Sequence, residues 1–108
     1  MNLAEQHTIT AEQGLCALRE GELPALLASL KGWQVDGGLL SKTLRFADYY
    51  QTSAFVSAVV WLAHQADHHP EICFGYRECR IQLSTHAVDG LSMNDFILAA
   101  RIDRLQQD

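Results

Sequence analysis

Between Trp33 and His86 the spacing of apolar residues changes period twice, and that alternation leaves few architectures open. Trp33 and Val35 begin a short strand, Asp36-Gly37-Gly38 is a hairpin turn signal, and Leu40, Leu44 and Phe46 alternate along a second strand. Behind Asp48, a helix-capping residue, Phe55, Ala58, Val59, Leu62 and Ala66 recur at helical spacing. Pro70 ends that segment, because it has no backbone donor and restricts His69. Ile72, Phe74 and Tyr76 alternate on a third strand. Cys79, Ile81, Leu83 and Thr85 make one face of a fourth, with Arg80, Gln82, Ser84 and His86 on the other. A helix from about Leu23 to Leu30 precedes the first strand: Pro24 suits its first turn, Leu26, Leu27 and Leu30 form one stripe, and Gly32 stops it. After Gly90, Ser92 caps a last helix carrying Phe96, Leu98, Ala99, Ile102 and Leu105. The order is α-β-β-α-β-β-α. Hairpin-joined strands with helices between them predict an α+β domain, a four-stranded antiparallel sheet with three helices packed on one face.

A chain of 108 residues suffices for one such core. We place the domain at residues 22–108 and read residues 1–21 as an N-terminal arm, in which Thr10 and Gln13 could form a capping box for a short helix that Gly14 and Gly21 weaken. The net charge of −5 and the lack of any basic run argue against nucleic acid and anionic membrane as partners. No apolar run is long enough to span a bilayer, since the longest, Ala54 to Ala63, is interrupted by Ser57. Met1 to Thr10 lacks the basic start and apolar stretch of a signal peptide, so a cytoplasmic location is expected. The odd set Cys16, Cys73 and Cys79 then reads as reduced thiols, and no CxxC pair suggests structural zinc.

Four of the five histidines, His64, His68, His69 and His86, fall in one stretch, and only His7 lies outside it. Imidazole exchanges protons near neutral pH, so such a cluster is a natural acid/base site. Two plainer readings stand beside it. His64 and His68 are four apart on one helix, a common zinc spacing, but Gln65 stands where a metalloprotease has its glutamate, and further ligands are few. Histidines at a helix end are also favoured by the helix dipole, which could account for His68 or His69 but not for His86 at a strand end. Asp95 completes a capping box with Ser92 and can at the same time orient a histidine. Trp33 could be a partly buried strand residue or the flat wall of a pocket for a bicyclic ring. Trp61 shares a helical face with His64 and His68, so it could line the site or an interface.

The run His64-Gln65-Ala66-Asp67-His68-His69-Pro70-Glu71, followed at fixed distances by Tyr76, His86 and Asp95, resembles the signature of the pterin-4a-carbinolamine dehydratases. Leu30-Lys31-Gly32-Trp33, Ser84-Thr85-His86, Gly90-Leu91-Ser92, Leu98-Ala99 and Ile102-Asp103 are similar to the family as well, so the resemblance runs from about Leu26 to Ile102. The position of His64 often carries glutamate in that family. The resemblance implies the same four-stranded antiparallel sheet with helices on one side. It implies His68 and His86 as acid/base residues, His69 as a residue that binds and orients the pterin, and Asp95 as their support. Trp33, His64, Pro70, Thr85, Ala87 and Val88 would contact the substrate. It further implies dehydration of 4a-hydroxytetrahydropterin without metal or cofactor, a homodimer or homotetramer, and functional coupling to an aromatic amino-acid hydroxylase. The alternative it leaves open is a non-enzymatic, coactivator-type binding protein, since animal members of the family also stabilise the dimer of a transcription factor.

Overall fold

The structure is a computed structural model and describes residues 2–106; the last two residues of the expected 22–108 domain lie outside the described residues. Its order is α1 (Leu23–Leu27), β1 (Gln34–Asp36), β2 (Leu39–Arg45), α2 (Tyr49–Ala66), β3 (Glu71–Phe74), β4 (Glu78–Leu83) and α3 (Met93–Arg104). The strands form one antiparallel sheet in the order β1-β2-β4-β3. This is the expected α+β architecture. The first helix stops three residues short of the expected Leu30, and Tyr76 lies beyond the end of β3.

Local chemistry sets the joints. Gly37 and Gly38 have φ of 59° and 77°, so both central residues of the two-residue β1–β2 turn are left-handed, which glycine alone adopts without cost. Asp48 accepts a bond of 2.8 Å from the Gln51 amide and starts α2. The Thr52 hydroxyl, fully buried, lies 2.8 Å from the Tyr76 carbonyl and ties the first turn of α2 to the β3–β4 connection.

The register places Leu40 opposite Leu83, Lys42 opposite Ile81 and Leu44 opposite Cys79. These alternate residues face the helices, while Thr43, Arg45, Glu78 and Arg80 are exposed. Phe55, Val59, Ala63 and Ala66 of α2 and Phe96, Leu98, Ala99 and Ile102 of α3 bury against that inner face. Each fully buried Leu, Ile or Phe contributes about 1.5–3 kcal/mol.

The N-terminal arm is packed against the domain. Leu3 and Ala4, in a 3-10 turn Leu3–Glu5, are buried beside α3, and Arg101 donates to the carbonyls of Ala4 (3.2 Å) and Gln6 (2.7 Å). The capping box between Thr10 and Gln13 forms, and it opens a 3-10 turn, Ala11–Gln13. Among the described residues no helix is long and apolar enough to cross a membrane.

Candidate active site

Two chain reversals bring the histidines together. At the first, α2 ends in paired bonds from the Asp67 amide to the His64 carbonyl (3.2 Å) and from the His68 amide to the Ala63 carbonyl (3.0 Å). Asp67 takes the left-handed conformation at φ 49°, which aspartate tolerates better than most residues. The helix is therefore over before His68, and the four-residue spacing of His64 and His68 does not put them on one face. His64 is exposed, its ring 5.6 Å from that of exposed Trp61, whereas His68 is buried. At the second reversal, Thr85 and Gly90 pair across a small loop (Thr85 amide to Gly90 carbonyl, 2.8 Å). The 3-10 turn His86–Val88 inside that loop carries His86.

Asp95 holds the centre. It is fully buried on the first turn of α3. One carboxylate oxygen lies 2.5 Å from His68 Nε2. The other accepts from the Thr85 hydroxyl (2.8 Å) and the Ser92 amide (2.9 Å). A carboxylate only accepts, so His68 Nε2 carries the proton of that bond and Nδ1 is the nitrogen left for other partners. Thr85 commits its one proton to Asp95, so the Ser92 hydroxyl must donate to Thr85 Oγ1 at 2.7 Å, while it accepts from the Asn94 amide at 3.2 Å. Every buried side-chain polar atom among the described residues has a partner. Asp95 thus closes the capping box with Ser92 and bonds His68 from the same position.

His68, His69, His86, Thr85 and Ala87 line one cavity of about 440 Å³, together with Gln65, Asp67, Ser84, Asn94 and part of the N-terminal arm. His68 is buried in its wall, while His69 and His86 are exposed at its edge. The cavity does not include Trp33, His64, Pro70 or Val88. Trp33 is buried at the other end of α3, where its Nε1 donates to Asp103 Oδ1 at 2.8 Å. Lys42 Nζ reaches the same oxygen at 3.0 Å, and the Lys31 amide reaches Oδ2 at 2.9 Å. The helix between Asp95 and Asp103 spans about 12 Å along its axis. Trp33 is therefore a buried anchor between the sheet and α3, away from the histidine cavity. Pro70 is the last residue before β3, and Val88 ends the turn that His86 begins.

Among the described residues no group of three His, Cys, Asp or Glu side chains is placed to hold a metal ion. The arm residues that line the cavity, and Asn94 beside Asp95, carry no local signal of that position. The Thr10–Gln13 capping box marked a turn in the arm but not where the turn would lie.

The family model of pterin 4 alpha carbinolamine dehydratase matches residues 17–105. A protein of Hydrogenovibrio crunogenus named "Putative pterin-4-alpha-carbinolamine dehydratase" is 49% identical over 105 residues, covering 95% of this chain and 93% of its own. One of the same name from Nitrosomonas eutropha is 48% identical, covering 96% and 93%. Among solved structures, a transcriptional coactivator/pterin dehydratase from Brucella melitensis matches with a TM-score of 0.80 and 29% identity over 84% of this chain and 99% of its own. A pterin dehydratase-like RuBisCO assembly factor of the alpha-carboxysome matches at 0.59 and 31%, covering 69% and 92%. The arm residues of the cavity, Thr8 to Leu15, precede the span that the family model matches.

Proposed function

Since the chain belongs to the pterin 4 alpha carbinolamine dehydratase family, we propose that its histidine cavity dehydrates 4a-hydroxytetrahydropterin to the quinonoid dihydropterin. The observation that carries this reading is that His68 and His86 line one cavity, with buried Asp95 bonded to His68.

The reaction removes a hydroxyl from a ring carbon bonded to nitrogen. One imidazole delivers a proton to the leaving oxygen, the carbon–oxygen bond breaks, and water departs. The nitrogen lone pair forms the new carbon–nitrogen double bond, and the proton on that nitrogen passes to a second base. His68, bonded to Asp95 through Nε2, would accept or donate through Nδ1, and His86 would serve the other face of the ring. His69, exposed at the cavity edge, would bind and orient the pterin. Because the lone pair expels the hydroxyl, the step as written needs no metal or cofactor, and prolonged chelation should leave turnover unchanged. The expected setting is the regeneration of tetrahydrobiopterin in the cytoplasm by a homodimer or homotetramer, downstream of an aromatic amino-acid hydroxylase.

The Brucella relative is named a coactivator as well as a dehydratase, which supports a second reading, a coactivator-type binding role without catalysis. A dehydration assay on freshly made 4a-hydroxytetrahydropterin separates the two. A positioned acid or base contributes about 10²–10⁴-fold, so His68→Ala/His86→Ala should lose at least that much in kcat while keeping its circular dichroism spectrum. Parental turnover in the double variant would reject the assignment.

A further inference from the structure

The arm contributes Thr8, Ile9, Thr10, Ala11 and Leu15 to the wall of the histidine cavity. It is fixed there by bonds that the turn itself does not need. Asn94 clips Ile9 at both backbone groups: the Ile9 amide donates to Oδ1 at 3.1 Å, and Nδ2 donates to the Ile9 carbonyl at 2.6 Å. Further on, the Leu18 amide donates to the Leu91 carbonyl at 2.8 Å. At the front end, buried Leu3 and the two bonds from Arg101 anchor the chain.

This fixation leaves the strap only partly buried. Ile9 is 38% exposed and Leu15 only half-buried. Ordering a backbone costs conformational entropy, and an apolar side chain left partly open to water recovers only part of it. A ligand that fills the cavity would cover both side chains and supply the missing burial. Asn94 is also next in sequence to Asp95, so one turn of helix sets both the strap and the buried histidine.

We infer that Ile9 and Leu15 are substrate-binding residues that cover the part of the pterin ring left open by the histidines, and that Asn94 is the positioning residue that holds Ile9 in place. The inference rests on the dehydratase reading. The wall it describes is uncharged and aliphatic with two hydroxyls, a chemistry suited to the face of a planar bicyclic ring and not to a charged tail.

The test compares the full-length parent with Ile9→Ala/Leu15→Ala, each single variant and Asn94→Ala. The readouts are KM and kcat for 4a-hydroxytetrahydropterin and direct calorimetric binding of 7,8-dihydropterin, which cannot be dehydrated. Removing several methylenes from a ligand contact should raise KM and weaken analogue binding about tenfold or more in the double variant, with kcat within about twofold of the parent. Asn94→Ala should move the same two quantities in the same direction. Ile9→Ala changes an exposed side chain, so it reports even if the double variant melts early. Unchanged KM and analogue affinity in an active protein, or a loss confined to kcat, would overturn the inference alone. A parent that neither turns over the carbinolamine nor binds the analogue would overturn the dehydratase reading and this inference with it.

Discussion

Asp95→Asn is the substitution that best interrogates the site, because it removes a charge while keeping the shape of the side chain. Asp95 accepts three bonds in a fully buried position, from His68 Nε2, the Thr85 hydroxyl and the Ser92 amide. An asparagine can keep its carbonyl oxygen on Thr85 and Ser92 and turn its amide group toward His68. The reverse orientation would leave the buried Ser92 amide facing another donor, which is costly. In the favoured orientation His68 must accept through Nε2, so its proton moves to Nδ1, the nitrogen through which the proposed reaction would have it accept a proton. A misplaced tautomer at a catalytic base should cost about 10²–10⁴ in kcat, or roughly 3–5.5 kcal/mol of barrier. Exchanging one charge-assisted bond for a neutral one should cost only about 1–2 kcal/mol of stability. For a domain of this size that lowers Tm by roughly 4–16 °C. Asp95→Ala would be uninformative by comparison. It orphans three buried donors at about 1–3 kcal/mol each, against a total stability of about 5–15 kcal/mol. Turnover is followed spectrophotometrically on fresh carbinolamine, and nitrogen chemical shifts of labelled histidine read the tautomer. An Asp95→Asn protein that works at the parental rate, or whose His68 keeps its proton on Nε2, would refute the reasoning.

Two further outcomes follow from the same geometry. Trp33→Phe removes the charge-assisted bond to Asp103 and keeps an aromatic ring in place, so it should cost about 1.5–3 kcal/mol in a denaturant titration and leave KM unchanged; a raised KM would place Trp33 in the substrate site. Cys79 is fully buried and its thiol is pushed up by burial, with Cys73 adding to the effect, whereas Cys16 and Cys73 are exposed. Iodoacetamide on the native protein should therefore label two thiols, and the third only after denaturation, with labelling of Cys79 in the folded state as the contrary result.

Much of the site was legible because local chemistry dictated it. The Ser92–Asp95 box is a property of four consecutive residues, and so is the Thr10–Gln13 turn. The β4 alternation correctly set Cys79, Ile81, Leu83 and Thr85 facing inward. The relation of His64 to His68 could not be read in this way. It depends on whether the helix passes through Asp67, where the chain instead makes a left-handed turn four residues before β3 begins at Glu71. Trp33 likewise had two open readings until Asp103, 70 residues away, supplied its partner.

Period and turn chemistry are short-range, so the chain alone determined the elements, their order, the inward faces and the histidine set. Which of those histidines share a cavity was decided by tertiary structure, because it depends on where two chain reversals and one helix end meet in space. The same holds for the arm. Residues 10–13 shape one of its turns, but where the arm runs is held by Asn94, Leu91 and Arg101, groups far away in the chain that become neighbours only once α3 has docked on the sheet.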